Sequence, residues 1–166
     1  MIPKHYTMEL IYTFNELDHS KVAEAGGKNA SLGEMFQELK SEGINIPDGF
    51  ATSADAYWKF IDENELKGPI GDILEKLDRK SFDNLSETGE EIRKKIMAGE
   101  IPEEVEKSIL KAFDDLKERE KAVTSVAARS SATAEDLPEA SFAGQHDTFL
   151  NIETEEELLN GWKKCV

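Results

Sequence analysis

The sequence is poor in cysteine and has no long apolar run. Cys165 is its single cysteine among 166 residues. One thiol excludes an internal disulfide and a metal site built from cysteines, and it is typical of a reducing compartment. No window of 18 apolar residues occurs, and residues 1–14 lack the apolar core of a signal peptide. We therefore expect a cytoplasmic protein that does not bind a membrane.

Positive charge is also scarce, which restricts the partners. Asp and Glu number 35 against 20 Lys and Arg, so the formal net charge is −15. Nucleic acids and anionic membranes both require basic protein surface, so we expect neither as a partner. A phosphate ligand would need a local basic site in this acidic chain. The 39% of hydrophobic residues suffice for the core of one domain, or for part of a larger one.

The pattern of apolar residues predicts an α+β fold. Alternation predicts strands at 10–17, 122–128 and 147–152, and a short strand follows the turn at 46–49. Helical spacing is carried by three groups of residues: Leu32, Met35, Phe36 and Leu39; Tyr57, Phe60 and Ile61; Val105, Ile109, Leu110, Phe113 and Leu116. Ser53, or Thr52 with Asp55, is the predicted cap of the second helix, and Pro102 is the predicted first residue of the third.

The last helix begins at Thr154, with Glu157 placed to complete a capping box. Its apolar stripe of Leu158, Leu159 and Trp162 reaches the end of the sequence without a stop signal. We therefore expect the chain to be the N-terminal part of a longer protein.

The first candidate site is the glycine pair in "AGGKNAS", ahead of the first long helix. Glycine lets the backbone approach a ligand closely, and a helix N-terminus presents N–H groups to an anion. Lys28 adds a positive charge. The alternative is a tight turn followed by a surface lysine. The spacing is not that of a Walker A loop, because Val22 stands where that motif needs glycine.

The second candidate is Arg129, which leads from a predicted strand into the Ser- and Thr-rich loop of 130–145. A guanidinium can bind a phosphate bidentately. The alternative is an ion pair with Glu135 or Asp136 in a flexible linker, and composition does not separate the two.

The third candidate lies where this loop returns to a strand. Gly144 permits close backbone approach, and Thr148 offers a hydroxyl. His146 has no paired nucleophile or second metal ligand, so we interpret it as structural.

Two stretches carry a family resemblance. "GGKNASLGEM" with "GINIPDGFATSADAY", and then "ARSSATAEDLPEASFAGQHDTFLNI", closely resemble the N-terminal nucleotide-binding region of the phosphoenolpyruvate synthase and pyruvate phosphate dikinase family. The resemblance covers residues 14–60 and 122–166. It departs from the family pattern at Ala128, where Val is usual, and at His146, where Gln is common.

The resemblance implies an ATP-grasp-type domain, of which residues 1–166 form the N-terminal part. It implies that ATP or AMP is bound by Lys28, Arg129, Gly144 and Thr148, none of them as a base or nucleophile. Mg²⁺ ligands are expected outside this chain.

The implied parent is a dikinase that converts ATP, pyruvate and water to AMP, phosphoenolpyruvate and phosphate through a phosphohistidine. The phosphohistidine and pyruvate-binding domains are absent here, so this part alone is expected to be inactive. A homo-oligomeric parent is compatible with the resemblance. Two alternatives are a rifampin phosphotransferase parent and an acidic interaction module without catalysis.

Overall fold

The computed structural model describes residues 9–122, 124–133 and 147–166, which form an α+β fold. The helices are α1 (Val22–Ala25), α2 (Gly27–Ser41), α3 (Ala54–Glu63), α4 (Lys67–Glu75), α5 (Leu85–Ala98), α6 (Glu103–Arg119) and α7 (Glu155–Cys165). The strands are β1 (Ile11–Thr13), β2 (Phe50–Thr52), β3 (Val126–Arg129) and β4 (Thr148–Ile152). The prediction of mixed helices and strands is confirmed.

The four strands form two separate antiparallel pairs. β1 pairs with β2, with Tyr12 opposite Ala51, and β3 pairs with β4. Helix α7 packs on β3 and β4 and is tied to the other pair through Trp162, whose indole Nε1–H donates to Thr52 Oγ1 of β2 at 3.0 Å. A buried indole N–H needs such an acceptor.

The first strand is shorter than predicted, because it ends in a capped turn. The Glu16 carboxylate accepts hydrogen bonds from the Thr13 N–H at 2.8 Å and from the Thr13 hydroxyl at 2.6 Å. These bonds start a 3₁₀ turn over Phe14–Glu16. Alternation across 10–17 was therefore a misleading signal after Thr13.

Two predicted helix caps are confirmed. Ser53 Oγ accepts the Ala56 N–H at 3.3 Å at the start of α3, so the Ser53 alternative is the correct one. Thr154 and Glu157 form the reciprocal capping box of α7. Helix α6 begins at Glu103, so Pro102 lies one residue before the helix and is not its first residue as predicted.

The main core forms where α3, α6 and α7 meet. Phe60 and Trp162 stack edge to face, with ring centroids 5.6 Å apart. The α6 stripe points inward as predicted, except that Leu110 is only partly buried. The residues buried in this core are Leu10, Ala56, Phe60, Ile61, Leu66, Val105, Ile109, Phe113, Ile152, Leu158 and Trp162.

The buried face of α2 differs from the predicted stripe. Met35 is 43% exposed, whereas Gly27, Ala30, Gly33 and Phe36 are buried. A Cβ on Gly33 would lie 2.3 Å from the carbonyl oxygen of Leu17. At Gly33 the chain around Leu17 therefore approaches the helix too closely for any side chain, whereas the large Phe36 is accommodated one turn further on.

Within the described ranges, no helix has the length and apolar character needed to cross a lipid bilayer.

Candidate functional site

Arg129 and Thr148 are directly opposite each other on strands β3 and β4. Both residues are exposed, and the pairing continues one step further, where the Ser130 N–H donates to the Asp147 carbonyl at 3.3 Å. Opposite residues of an antiparallel pair project their side chains from the same face. The hairpin therefore brings together two of the four residues that the sequence predicts to bind nucleotide.

A β-bulge organises the rest of this hairpin. Val126 pairs with Ile152 and Ala128 with Phe149, so β4 has one more residue than β3 between the two pairs. Asn151, inside the bulge, has a left-handed backbone with φ of 58°. Side chains alternate along a strand, so Phe149 and Ile152 would face opposite ways without the extra residue. The bulge lets both of them face inward.

Helix α7 covers the inner face of the hairpin. A Cβ on Gly161 would lie 3.0 Å from Ile152 Cδ1 and 3.4 Å from Ala128 Cβ, so helix and strands are in close contact. Lys164 Nζ lies 5.3 Å from the centre of the Phe149 ring. The side chains exposed on the hairpin's other face, which we call the outer face, are Ala127, Arg129, Thr148 and Leu150.

The glycine pair contacts the start of the Ser- and Thr-rich loop. A Cβ on Gly26 would lie 2.4 Å from Ser131 Oγ and 3.0 Å from the Ala132 carbonyl oxygen. Gly26 also has φ of 84° and ψ of 155°, a conformation essentially restricted to glycine. The close approach that the sequence predicts at this glycine is therefore made by the protein's own chain.

This contact sets the two motifs side by side. Lys28 lies two residues after Gly26, in the first turn of α2, and Arg129 lies two residues before Ser131. The first hydrogen bond of α2 runs from the Ala30 N–H to the Gly26 carbonyl at 3.1 Å. The N–H groups of residues 27–29 thus precede the helical ladder, and they give this end of α2 a partial positive charge. Lys28 and Arg129 add full charges to the same region.

Ser131 Oγ and Glu24 Oε2 are buried and have no hydrogen-bond partner within the part of the chain that the structure describes. A buried hydroxyl without a partner costs about 1–3 kcal/mol. A buried polar atom of this kind needs a partner, which water, a ligand or a further segment of the protein can supply.

A groove of about 310 Å³ between β1 and α6 does not involve these motifs. Its lining includes the carboxylates of Glu9, Glu16, Glu104 and Asp115. Only Lys111 and Arg119 oppose them, so the groove has the wrong charge for a triphosphate.

Gly144 lies outside the described residues, as do Glu135, Asp136 and His146. Across residues 9–122, 124–133 and 147–166, no three His, Cys, Asp or Glu side chains form a group that could hold a metal ion. Sequence reasoning missed the bulge. Its signal was present, because Phe149 and Ile152 are three positions apart and cannot both face inward on a regular strand.

Comparison with known proteins identifies the family. The domain family described as "Pyruvate phosphate dikinase, AMP/ATP-binding domain" matches residues 22–166. The chain is 44% identical over 160 residues to phosphoenolpyruvate synthase from Helicobacter pylori, covering 96% of this chain and 20% of that protein. It is 47% identical over 140 residues to phosphoenolpyruvate synthase from Neisseria meningitidis, covering 84% of this chain and 18% of that protein.

A third relative is the probable phosphoenolpyruvate synthase of Methanocaldococcus jannaschii, with 46% identity over 161 residues that cover 96% of this chain and 13% of the relative. The chain thus spans about a fifth or less of the length of these relatives. The matches take in both the α2 start and the β3–β4 hairpin, and the chain belongs to the pyruvate phosphate dikinase AMP/ATP-binding domain family.

Proposed function

We propose that this chain binds ATP as the N-terminal part of an ATP-grasp-type domain that comprises residues 1–166 and continues in a longer enzyme. The observation that carries the proposal is the Arg129–Thr148 pair on the hairpin whose loop contacts the start of α2. A guanidinium, a hydroxyl and a helix N-terminus together are well suited to phosphate oxygens. Lys28, Arg129, Gly144 and Thr148 are the proposed contacts.

In this proposal the site residues neutralise and orient the phosphates. Phosphoryl transfer depends mainly on such positioning and on stabilisation of charge. Lys28 and Arg129 supply fixed positive charge, and Thr148 supplies a hydroxyl donor. ATP supplies the phosphoryl group. We assign the Mg²⁺ ligands to parts of the domain outside this chain.

For the longer enzyme we propose a cytoplasmic dikinase that forms phosphoenolpyruvate, AMP and phosphate from ATP, pyruvate and water. The relatives reported above are named phosphoenolpyruvate synthases, which favours pyruvate over a rifamycin as the acceptor. Pyruvate would bind to domains that this chain lacks. The chain alone is therefore expected to release no AMP in a pyruvate-dependent manner.

The test is titration of the 166-residue chain with ATP and Mg²⁺, followed by calorimetry or by NMR. We expect weak, saturable binding. Arg129→Ala and Lys28→Ala should each weaken it about tenfold or more, since a hydrogen bond to a charged group contributes about 1.5–3 kcal/mol. Arg79→Ala and Lys107→Ala remove the same charges from exposed positions away from the site and are the matched controls.

Absence of saturable ATP binding would contradict the proposal and favour an acidic interaction module. Equal affinities for the site variants and their controls would show instead that ATP binds elsewhere on the chain.

A further inference from the structure

Three large hydrophobic side chains are exposed together where α4 turns back into α5. Leu74 in the last turn of α4 is 40% exposed, Phe82 in the loop is 51% exposed, and Leu85 at the start of α5 is 53% exposed. Residues 74–85, which we call the α4–α5 tip, thus hold three of the seven large hydrophobic residues exposed in the described part of the chain. Clustered exposed hydrophobic residues mark interaction sites, whereas scattered ones do not.

Phe82 is held outward in an unfavourable backbone conformation. Its φ of 57° is left-handed, which is rare for a bulky side chain. The Phe82 N–H donates to the Asp78 carbonyl at 2.9 Å, and Asn84 Oδ1 accepts the Asp78 N–H at 2.9 Å. The Asp78 carboxylate in turn accepts the N–H groups of Lys80 and Ser81. Strained residues persist where the surrounding structure fixes them, and they concentrate at functional sites.

Little of α5 is covered by the rest of the protein. Thr88 is the one buried residue among the 14 of this helix, all of them described, although a surface helix commonly buries a broad apolar stripe. The C-terminal end of α5 is anchored on α7, where Lys163 Nζ donates to the carbonyls of Met97 and Gly99. At 1.5 Å per residue the tip lies about 20 Å along α5 from that anchor. It is therefore accessible to a second macromolecule.

The charge of the tip differs from that of the rest of the chain. It carries three basic and three acidic side chains, all of them exposed: Lys76, Arg79, Lys80, Glu75, Asp78 and Asp83. The tip is thus neutral, and the net charge of −15 belongs entirely to the other residues. Two copies that approach through the acidic remainder repel each other, whereas a neutral surface with both signs of charge can pair with itself.

We propose that two copies of this chain associate through their α4–α5 tips, with Phe82 as the anchor of the contact. A two-fold contact places the same patch of each copy against the other, so the patch must be complementary to itself. The tip meets this condition, because apolar groups can face apolar groups and basic groups can face acidic ones. Aromatic side chains are frequent anchors of protein interfaces. The proposal does not depend on nucleotide binding.

The small size of the tip makes this association weak. Its three hydrophobic side chains per copy are far fewer than the roughly 20–30 residues a side of a stable complex. We therefore expect a Kd of about 0.1–1 mM for the separate chain. In a longer protein whose copies are already joined elsewhere, the same contact would form intramolecularly and would be populated at a much lower concentration.

The first test is a concentration series of the 166-residue chain up to about 1 mM, followed by sedimentation velocity and by amide NMR. The sedimenting mass should rise toward that of a dimer. The amide signals of residues 74–85 should shift with concentration, while those of the β3–β4 hairpin stay constant. A chain that stays monomeric throughout, or whose shifts lie elsewhere, would overturn the proposal and leave the tip to another domain of the longer protein.

Phe82→Asn tests the anchor. Asparagine adopts the left-handed conformation more readily than phenylalanine, so this variant removes the ring and keeps the loop. It should weaken association about tenfold or more, as expected for a central aromatic contact. Leu85→Ser, which leaves the loop residues unchanged, should also weaken it. Ile44→Asn is the matched control, since Ile44 is 47% exposed outside the tip. Association of both tip variants at the strength of this control would contradict the proposal.

Charge exchange tests whether a tip meets another tip. Lys80→Glu makes the tip negative and Asp83→Lys makes it positive, so each variant should associate with itself more weakly than the unmodified chain does at low ionic strength. An equimolar mixture of the two should recover the original association, because tips of opposite charge then meet.

Asp83→Lys also lowers the overall negative charge of the chain. Association through any other surface would therefore be strengthened by this substitution. Stronger self-association of Asp83→Lys, or a mixture no better than its two components, would show that the contact is not tip to tip.

Discussion

The contact between Gly26 and Ser131 joins the start of helix α2 to the end of strand β3. Lys28 lies two residues after Gly26 in α2, and Arg129 lies two residues before Ser131 at the end of β3. The relative position of the two proposed phosphate contacts therefore depends on a glycine that itself carries no functional group.

Gly26→Ala should destabilise the chain and weaken ATP binding, because the new Cβ meets Ser131 Oγ at 2.4 Å and forces an unfavourable backbone. We expect more than the roughly 1–2 kcal/mol of a left-handed alanine. Urea unfolding and ATP titration measure the two effects. Gly43→Ala is the control, since Gly43 also has a positive φ, of 79°, but nothing within 4 Å of its Cβ position.

A rescue experiment isolates the contact from the backbone effect. Ser131→Ala removes the nearest obstructing atom, so it should partly restore both stability and ATP affinity to Gly26→Ala. If the double variant is no better than Gly26→Ala alone, the contact with Ser131 Oγ contributes nothing to the loss, which then comes from the backbone conformation and the Ala132 carbonyl.

The Arg119–Asp48 pair anchors the turn before β2 to the end of α6. Arg119 Nε donates to Asp48 Oδ2 at 2.8 Å, and the Asp48 side chain is only 3% exposed while that of Arg119 is 38% exposed. Arg119→Ala leaves a buried carboxylate that still accepts the Gly49 N–H but has lost its charged partner, so we expect a loss of about 1–3 kcal/mol in urea unfolding.

Lys107→Ala is the control for that prediction, because it breaks an ion pair with Glu103 in which both partners are exposed. Exposed pairs contribute about 0–1 kcal/mol. Similar losses for the two variants would mean that the burial of Asp48 adds nothing to the ion pair.

The capping box of α7 should make stability depend on pH. Hydrogen bonds from the N–H groups of Glu153 and Thr154 lower the pKa of the Glu157 carboxyl below its ordinary value of 4.5. A carboxyl with a lower pKa in the folded chain stabilises it above pH 4.5, and this contribution is lost as pH falls through the folded value.

We therefore expect Glu157→Gln to be less stable than the unmodified chain at pH 7, with the difference shrinking as pH falls below 4.5. Thermal unfolding between pH 7 and pH 3 measures it. Glu156→Gln removes a charge from the same turn without disturbing the capping box. A difference that stays constant with pH for Glu157→Gln would contradict the assignment.

The thiol of Cys165 should be unreactive at neutral pH. Burial raises its pKa to about 11, and the Asp147 carboxylate acts in the same direction. Thiolate absorbance near 240 nm should therefore not reach its midpoint below about pH 10 in the folded chain. In denaturant the midpoint should return toward the ordinary value of 9.0. A folded-state midpoint near that value would show that the thiol is accessible.

Local signals in the sequence were sufficient to predict the helix caps and the buried face of α6. Thr154 was predicted as a helix cap and Ser53 as one of two alternatives, because a hydroxyl that accepts a nearby N–H acts within one helical turn. The inward stripe of α6 was visible for the same reason, since it depends only on spacing along one helix. The motifs around Lys28 and Arg129 also indicate the family without any tertiary contact.

Tertiary structure decided how these elements meet. The need for glycine at position 33 of α2 follows from the close approach of Leu17, and the approach of Gly26 to Ser131 joins segments far apart in the chain. The bulge at Asn151 depends on the partner strand and on α7, which together require Phe149 and Ile152 to face the same side. A sequence pattern reflects the conformational preferences of one segment. Each of these features depends instead on how closely a second segment packs against the first. The outer face of the hairpin, with Arg129 and Thr148 at one end and Leu150 at the other, is therefore a product of packing.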